Sequence, residues 1–298
     1  MKPIFRLIRL TLSPFLSFGV IRRFSFNVMK IDNLIEVKVD DIRFLVNTSD
    51  KVISKNINSN LKFPEYEKFN LSMNILKENG ISINNLVDIG AHYGSISIPA
   101  ALEYDFNKIY AFEPIYENLK ILELNILLNY LSANFLTFNN FLDSSKKQLT
   151  VFNFINNTAA SIAMNSEANL EKYMKINNLE YKNQESHESQ LLDEILKNYT
   201  LQETLFWLYC QGKEIDIILS SEKIIKDKSP ICMGYAPLVN RSSDKTIEDL
   251  CTRLNDSNYS TIVDLNEPDY KNSIDPNTFF DLDNKYKYFS RNTILLIY

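Results

Sequence analysis

The sequence predicts an α/β chain: a mostly parallel, doubly wound sheet with an N-terminal extension made of a β-hairpin and a helical arm. Three observations predict it. From about residue 65, short apolar runs alternate with amphipathic stretches, the pattern of strands joined by crossover helices. The run at 86–89 ends in a glycine turn that opens a helix. The run at 108–112 ends on an acid followed by proline, Glu113-Pro114, where the next strand would stop. The expected division is 1–64 for the extension and 65–298 for the main domain.

Residues 1–30 interleave Lys2, Arg6, Arg9, Arg22, Arg23 and Lys30 with Phe and Leu. That composition suits an arm packed on the domain, or a helix lying on a membrane surface. Residues 34–46 alternate apolar and polar around Asp40-Asp41, which predicts a hairpin. Within the main domain the expected order is strand 86–89, helix 95–104, strand 108–112, helix 115–130 and strand 134–138. The helix carries Leu119, Leu122, Ile126 and Tyr130 at three- and four-residue steps. Residues 148–155 predict a further strand, with an antiparallel placement open to it. The polar stretch 165–198 predicts two helical pieces inserted over the ligand-binding face. Strand 204–210, helix 215–226, strand 231–235, helix 245–254 and strands 259–263 and 292–297 complete the sheet.

Composition bounds the function classes. Hydrophobic residues make up 45% and charged residues 23% of 298, enough apolar surface for a packed core. Mean hydropathy is −0.19. The formal net charge is −5, and the six bases of the arm precede the first acid. Without them, 26 Lys+Arg face 37 Asp+Glu, a net −11 on the remainder. An acidic domain argues against a nucleic-acid substrate. Cys210, Cys232 and Cys251 have no C-x-x-C spacing, so a reducing compartment and no dedicated metal site are expected. The uncharged run at 10–21 has 12 residues and contains Pro14 and Gly19, short of the ~20 needed to span a membrane. The expectation is a cytoplasmic protein, with peripheral contact at the inner membrane face open to the arm.

Val87-Asp88-Ile89-Gly90-Ala91-His92-Tyr93-Gly94 ends one strand and opens a helix, at the edge where open α/β sheets bind ligands. In a chain with six glycines, Gly90 reads as a turn and Gly94 as a place where a ligand approaches the helix start. Asp88 either holds the loop or reaches a ligand's amino acid part. Glu113 stands where an acid binds ribose hydroxyls. A dinucleotide site needs a second glycine where this chain has His92, whose side chain would crowd a pyrophosphate. S-adenosylmethionine has no phosphates and tolerates His92, so it is the preferred ligand, with an ordinary strand-to-helix turn as the plain alternative.

Across residues 70–298 the chain resembles the FkbM-type methyltransferase family. The matches run in order: the loop at 87–94, Phe112-Glu113-Pro114 with Asn118 and Asn125, Asn157-Thr158-Ala159-Ala160-Ser161, Leu192-Asp193, Trp207 to Glu214, Tyr235-Ala236-Pro237, and Asn292 to Ile297. The resemblance implies a class I methyltransferase (Rossmann-like) fold and methyl transfer from S-adenosylmethionine. The acceptor it implies is usually a hydroxyl on a sugar, glycan or related small molecule, often in surface-polysaccharide synthesis. It places the cofactor at Asp88, Gly90, Ala91, His92, Gly94, Glu113 and Pro114, with adenine near Asn140 and Phe141. Two positions depart from the family pattern: Tyr209 and Gly234 stand where acids are usual or frequent. A non-catalytic relative that keeps the cofactor site, and a membrane-bound scaffold, are the other readings.

A base assists transfer to a hydroxyl. The candidates, in order, are Glu214, which matches the family motif, then Asp193, His187 and Tyr209, although His187 sits in no motif and reads first as a surface residue. Trp207 reads as core packing before any stacking role. Asn157 and Ser161 either meet the acceptor or the methionine end, or stabilise a turn.

Overall fold

The structure is a computed structural model describing residues 33–163, 167–236, 246–267, 269, 271–286 and 292–298. The basic arm lies outside the described residues. Strands β1 (Leu34–Val39) and β2 (Ile42–Asn47) form the expected antiparallel hairpin, with Asp40 in the left-handed region (φ 51°) turning the chain. Two helices follow, α1 (Ile53–Asn60) and α2 (Tyr66–Glu78).

The main sheet then builds outward through β3 (Asn85–Ile89), α3 (Ser97–Glu103), β4 (Lys108–Phe112), α4 (Tyr116–Leu128) and β5 (Phe135–Phe138). An insertion intervenes: β6 (Phe141–Leu142), β7 (Gln148–Phe154), a 3₁₀ turn at Thr158–Ala160, β8 (Ile162–Ala163), α5 (Glu167–Asn177), β9 (Tyr181–Gln190) and α6 (Leu192–Ile195). The chain returns through β10 (Thr204–Leu208), α7 (Glu214–Ser220), α8 (Glu222–Lys226), β11 (Ile231–Tyr235) and α9 (Ile247–Asp256). It closes with β12 (Thr261–Asp264), β13 (Lys271–Ser273), α10 (Pro276–Lys285) and β14 (Asn292–Ile297).

The large sheet has the order β13-β12-β14-β11-β10-β3-β4-β5. Pairs from β5 to β11 are parallel, and β14 runs antiparallel to both β11 and β12. This is the expected mostly parallel, doubly wound sheet. Side-chain alternation produces its two faces. Leu86, Ile109, Ala111, Leu205, Trp207 and Leu295 enter one apolar core, while Val87, Tyr110, Phe112, Phe206, Leu208 and Ile294 enter the other. The winding reverses at β3, since β4 and β5 lie on one side of it and β10 and β11 on the other. Ligands of such sheets bind in the crevice opened by that reversal.

The hairpin joins the first of these cores through Phe44, Leu45 and Val46. Its open edge is satisfied by α4 rather than by another strand. Asn125 donates Nδ2 to the Leu45 carbonyl (3.1 Å) and accepts the Leu45 amide (2.6 Å), and Asn129, one turn on, does the same for Arg43 (2.7 and 3.3 Å). Asn125 also donates to the carbonyl of Tyr93 (2.9 Å), so the hairpin, α4 and the glycine loop are fixed together.

The insertion corrects one expectation. The two expected helical pieces are α5 and the short α6, but between them runs the ten-residue strand β9, antiparallel to β7 in a small sheet of order β6-β9-β7-β8. Tyr181–Gln190 is almost wholly polar because most of it is exposed, so no apolar alternation marked it as a strand. The expected helix at 215–226 is two helices, parted at Ser221, whose hydroxyl accepts the Ile224 amide as an N-cap.

Candidate functional site

At the carboxyl ends of β3, β4 and β10 lies a cavity of about 320 Å³. Its walls come from the glycine loop, the start of α4, the insertion, the end of β10 and the segment around α1. The loop is locked onto β4: the amides of Gly90 and Ala91 both donate to the carbonyl of Phe112 (2.9 Å each). Glu113 finishes the lock. Its Oε2 accepts the His92 amide (2.9 Å), and its Oε1 accepts the Ile115 amide (3.0 Å) and Asn118 Nδ2 (3.2 Å). One carboxylate thus joins the loop, the strand tip and the first turn of α4, where an anion also complements the helix dipole.

Gly90 has φ +88°, and a Cβ there would lie 2.2 Å from the carbonyl oxygen of Tyr209. That glycine is demanded by the neighbouring strand end as well as by the turn. Gly94 corrects the expectation made for it. It is absent from the cavity wall, and its missing Cβ (φ +89°) makes room for Ile98 and Leu122, at 2.6 and 2.7 Å. Gly94 lets α3 start close against α4. The other residues expected at the cofactor, Asp88, Gly90, Ala91, His92, Glu113, Pro114, Asn140 and Phe141, all line the cavity. Asn140 is held by Gln190 (3.0 Å), and the Phe141 ring lies 4.4 Å from that of His187.

Electrostatically the cavity is set up for a cation. Burial pushes Asp88 up to about 7, the Glu113 charge adding to the effect and Ser97 offsetting part of it. Burial likewise pushes Glu113 up to about 7, against the pull of the Ile115, Asn118 and His92 donors. Asp88 Oδ2 is buried without a partner among the described residues. Burial lowers His92 to about 4 despite Asp50 nearby, so it is neutral at physiological pH. Lys213 is the other basic residue in the wall, and its charge is spent on Asp143 (2.8 Å) and Asp216 (3.1 Å). Asp88 and Glu113 thus have no cationic partner among the described residues, whereas Glu65 is paired with Lys68 (2.8 Å).

His92 has a left-handed backbone (φ 50°) and reaches out of the loop to Thr158 Oγ1 (2.8 Å). The same hydroxyl donates to Asp50 (2.9 Å) and lies 3.0 Å from the Tyr93 hydroxyl. Asp50 in turn accepts the amides of Val52 and Ile53 (2.8 Å each), fixing the start of α1. Neither Asp50 nor Thr158 was singled out by the sequence as a member of the site. The Asn157 to Ser161 match was the only signal, and it pointed at Asn157 and Ser161. Ser161 does line the cavity and closes its turn onto Thr158 O (3.1 Å), whereas Asn157 does not line it.

The expected bases fare differently. Glu214 is buried off the cavity, its oxygens accepting the amides of Cys210 (2.9 Å) and Gly212 (2.8 Å), and so it shapes the turn after β10. Asp193 accepts the Ser221 hydroxyl (2.6 Å) and the Glu222 amide (2.8 Å), capping α8 away from the cavity. Each acid is taken up by backbone amides outside its own helix, Glu214 by the turn before α7 and Asp193 by the start of α8. His187 bonds Glu185 (3.0 Å) outside the cavity wall. Trp207 is buried, stacked at 5.5 Å on Tyr209 and edge-on to Phe69, which is the packing role expected. Tyr209 lines the cavity. Its hydroxyl bonds Thr293 Oγ1 and Glu65 Oε2 (3.2 Å). A Cβ on Gly234 would come within 3.3 Å of the Tyr209 ring, so the two departures from the family pattern occupy one space.

No family model and no curated protein matches the sequence. Among solved structures the chain is similar to the methyltransferase FkbM of Methylobacillus flagellatus (TM-score 0.42, 14% identity), covering 72% of this chain and 44% of that one. The chain therefore spans less than half the length of that protein. It is also similar to M. jannaschii TYW2 in complex with AdoMet, with a TM-score of 0.43 and 13% identity over 89% of this chain and 85% of that one. A third similar structure is the StiE O-MT, residues 961–1257, at 0.41 and 13% over 84% and 77%. The fold assignment rests on the strand order itself.

Proposed function

We propose that the chain is an S-adenosylmethionine-dependent methyltransferase acting on a hydroxyl of a sugar, glycan or related small molecule. One observation carries the reading: a mostly apolar crevice at the reversal of the strand order is bounded by the glycine loop and Glu113, and lined by Asp88 and Glu113, which have no cationic partner among the described residues. The cavity is within the roughly 300–1,000 Å³ of ordinary small-molecule sites. Bound there, adenosylmethionine supplies a methyl carbon activated by a sulfonium.

The residues fit that ligand. Glu113 Oε2, which accepts one amide, keeps a lone pair for a ribose hydroxyl, while Oε1 already accepts two donors. Asp88, with an unpartnered buried oxygen, offers a second acceptor beneath the loop. Pro114, Asn140 and Phe141 present a flat, partly apolar wall for a base. His92 stands where a dinucleotide fingerprint needs its second glycine, and its neutral ring is held by Thr158 (2.8 Å). Transfer itself is an in-line displacement, so orientation supplies much of the rate, about 7–11 kcal/mol when reactants are well placed. Of the candidate bases, Tyr209 faces the cavity.

A second reading, a cofactor-binding relative without turnover, is favoured by Glu214 and Asp193 being engaged off the cavity. Methyl-labelled adenosylmethionine with a panel of glycosides separates the two. Label in a glycoside together with S-adenosylhomocysteine is the expected result. Ligand binding without either product selects the second reading.

A further inference from the structure

We infer that Glu65 anchors the α-ammonium group at the methionine end of the ligand. The inference rests on the adenosylmethionine reading and names a residue that no motif of the sequence pointed to. Glu65 precedes α2 with φ 62° and ψ −4°, a left-handed conformation that side-chain-bearing residues rarely adopt. Gly or Asn would fit such a position with less strain, so a glutamate there points to work done by its side chain.

That side chain lines the cavity. Its Oε2 is fixed by three donors, the hydroxyls of Tyr209 (3.2 Å) and Thr293 (3.1 Å) from distant parts of the chain and Lys68 Nζ (2.8 Å) three residues on. Oε1 has no partner among the described residues, so one oxygen is clamped while the other is left to a ligand. Topology gives the direction. Glu113 follows β4 on one side of β3, and Tyr209 and Thr293 stand at β10 and β14 on the other. A ligand with its ribose on Glu113 that crosses the loop after β3 brings its far end to Glu65. A clamped carboxylate there complements an ammonium, and repels the ligand's carboxylate toward the opposite wall.

Calorimetry of wild type and Glu65→Gln with two probes tests this. S-adenosylhomocysteine carries the amino acid group, and 5′-methylthioadenosine lacks it. The expected result is about tenfold weaker binding of S-adenosylhomocysteine to the variant, the loss of one charge-assisted contact, with methylthioadenosine affinity unchanged. Unchanged S-adenosylhomocysteine affinity overturns the inference and leaves the cofactor reading intact. Tighter binding also overturns it, since Glu65 would then face the ligand's carboxylate. An equal loss for both probes assigns Glu65 a merely structural part. Wild type that binds neither probe removes the cofactor reading itself, a failure distinct from the others.

Discussion

The two ends of the cavity are built on different plans. The β4 end is local: Gly90, Ala91, His92 and Glu113 lie within two dozen residues, and Glu113 is bonded to the His92 and Ile115 amides. The β10 end is assembled from afar, Glu65 meeting Tyr209 across 144 positions and Thr293 across 228. Backbone amides hold the first end, and side-chain hydroxyls and a lysine hold the second. The first end therefore tolerates little change in shape. At the second, side chains fill the space, the Tyr209 ring packing over Gly234.

The largest expected effect tests this contrast where the ends meet. Gly90→Ala places a methyl group against the Tyr209 carbonyl at a left-handed φ, and neither backbone segment can yield. A loss of ~3 kcal/mol or more is expected, read as a fall of ~10 °C in Tm. A variant as stable as wild type would show that the strand ends are less rigidly joined than described.

The next effect is electrostatic. Asp88 and Glu113 both titrate near about 7, above their unfolded values. Between about pH 4 and 7 the folded ligand-free protein holds more protons than the unfolded chain, so its stability falls as pH rises through that window. A cation favours the ionised carboxylates. Affinity for adenosylmethionine, relative to uncharged-sulfur S-adenosylhomocysteine, should therefore rise about tenfold from pH 6 to 8, as one such group goes from mostly protonated to mostly ionised. A flat ratio across that range contradicts the charge assigned to the cavity.

The smallest effect belongs to the β10 end. Gly234→Ala meets only the face of the Tyr209 ring, at 3.3 Å, and its φ is not left-handed. A change within ~1 kcal/mol is expected by chemical denaturation. A loss as large as that of Gly90→Ala would erase the difference between the ends.

The sequence marked the site residues of the local end and, at the distant one, Tyr209 but not Glu65 or Thr293, for the same reason. Strands such as Lys108–Phe112, Ile231–Tyr235 and Asn292–Ile297 are continuous apolar runs because both faces are buried, and they sit where the sequence placed them. The glycine loop and Glu113 were legible because a bend and a strand-tip acid leave marks within a short window. Glu65 leaves none, since its partners are set by the sheet order. β9 was hidden by its own exposure. Glu214 and Asp193 show the opposite failure: an acid that matches a motif looks catalytic in sequence, while in the fold a turn holds both oxygens of Glu214 and the cap of α8 holds Asp193. Gly94 was assigned to the wrong neighbour, because a glycine required by Ile98 and Leu122 looks the same in sequence as one required by a ligand.

Calorimetry of the wild-type chain and Glu113→Ala with S-adenosylhomocysteine and with NAD tests the central claim most directly. The account predicts binding of S-adenosylhomocysteine, at least about tenfold weaker in the variant through loss of a ribose contact worth about 1.5–3 kcal/mol, and no competition from NAD. NAD bound as well as S-adenosylhomocysteine, or equal affinity in the two proteins, would contradict it.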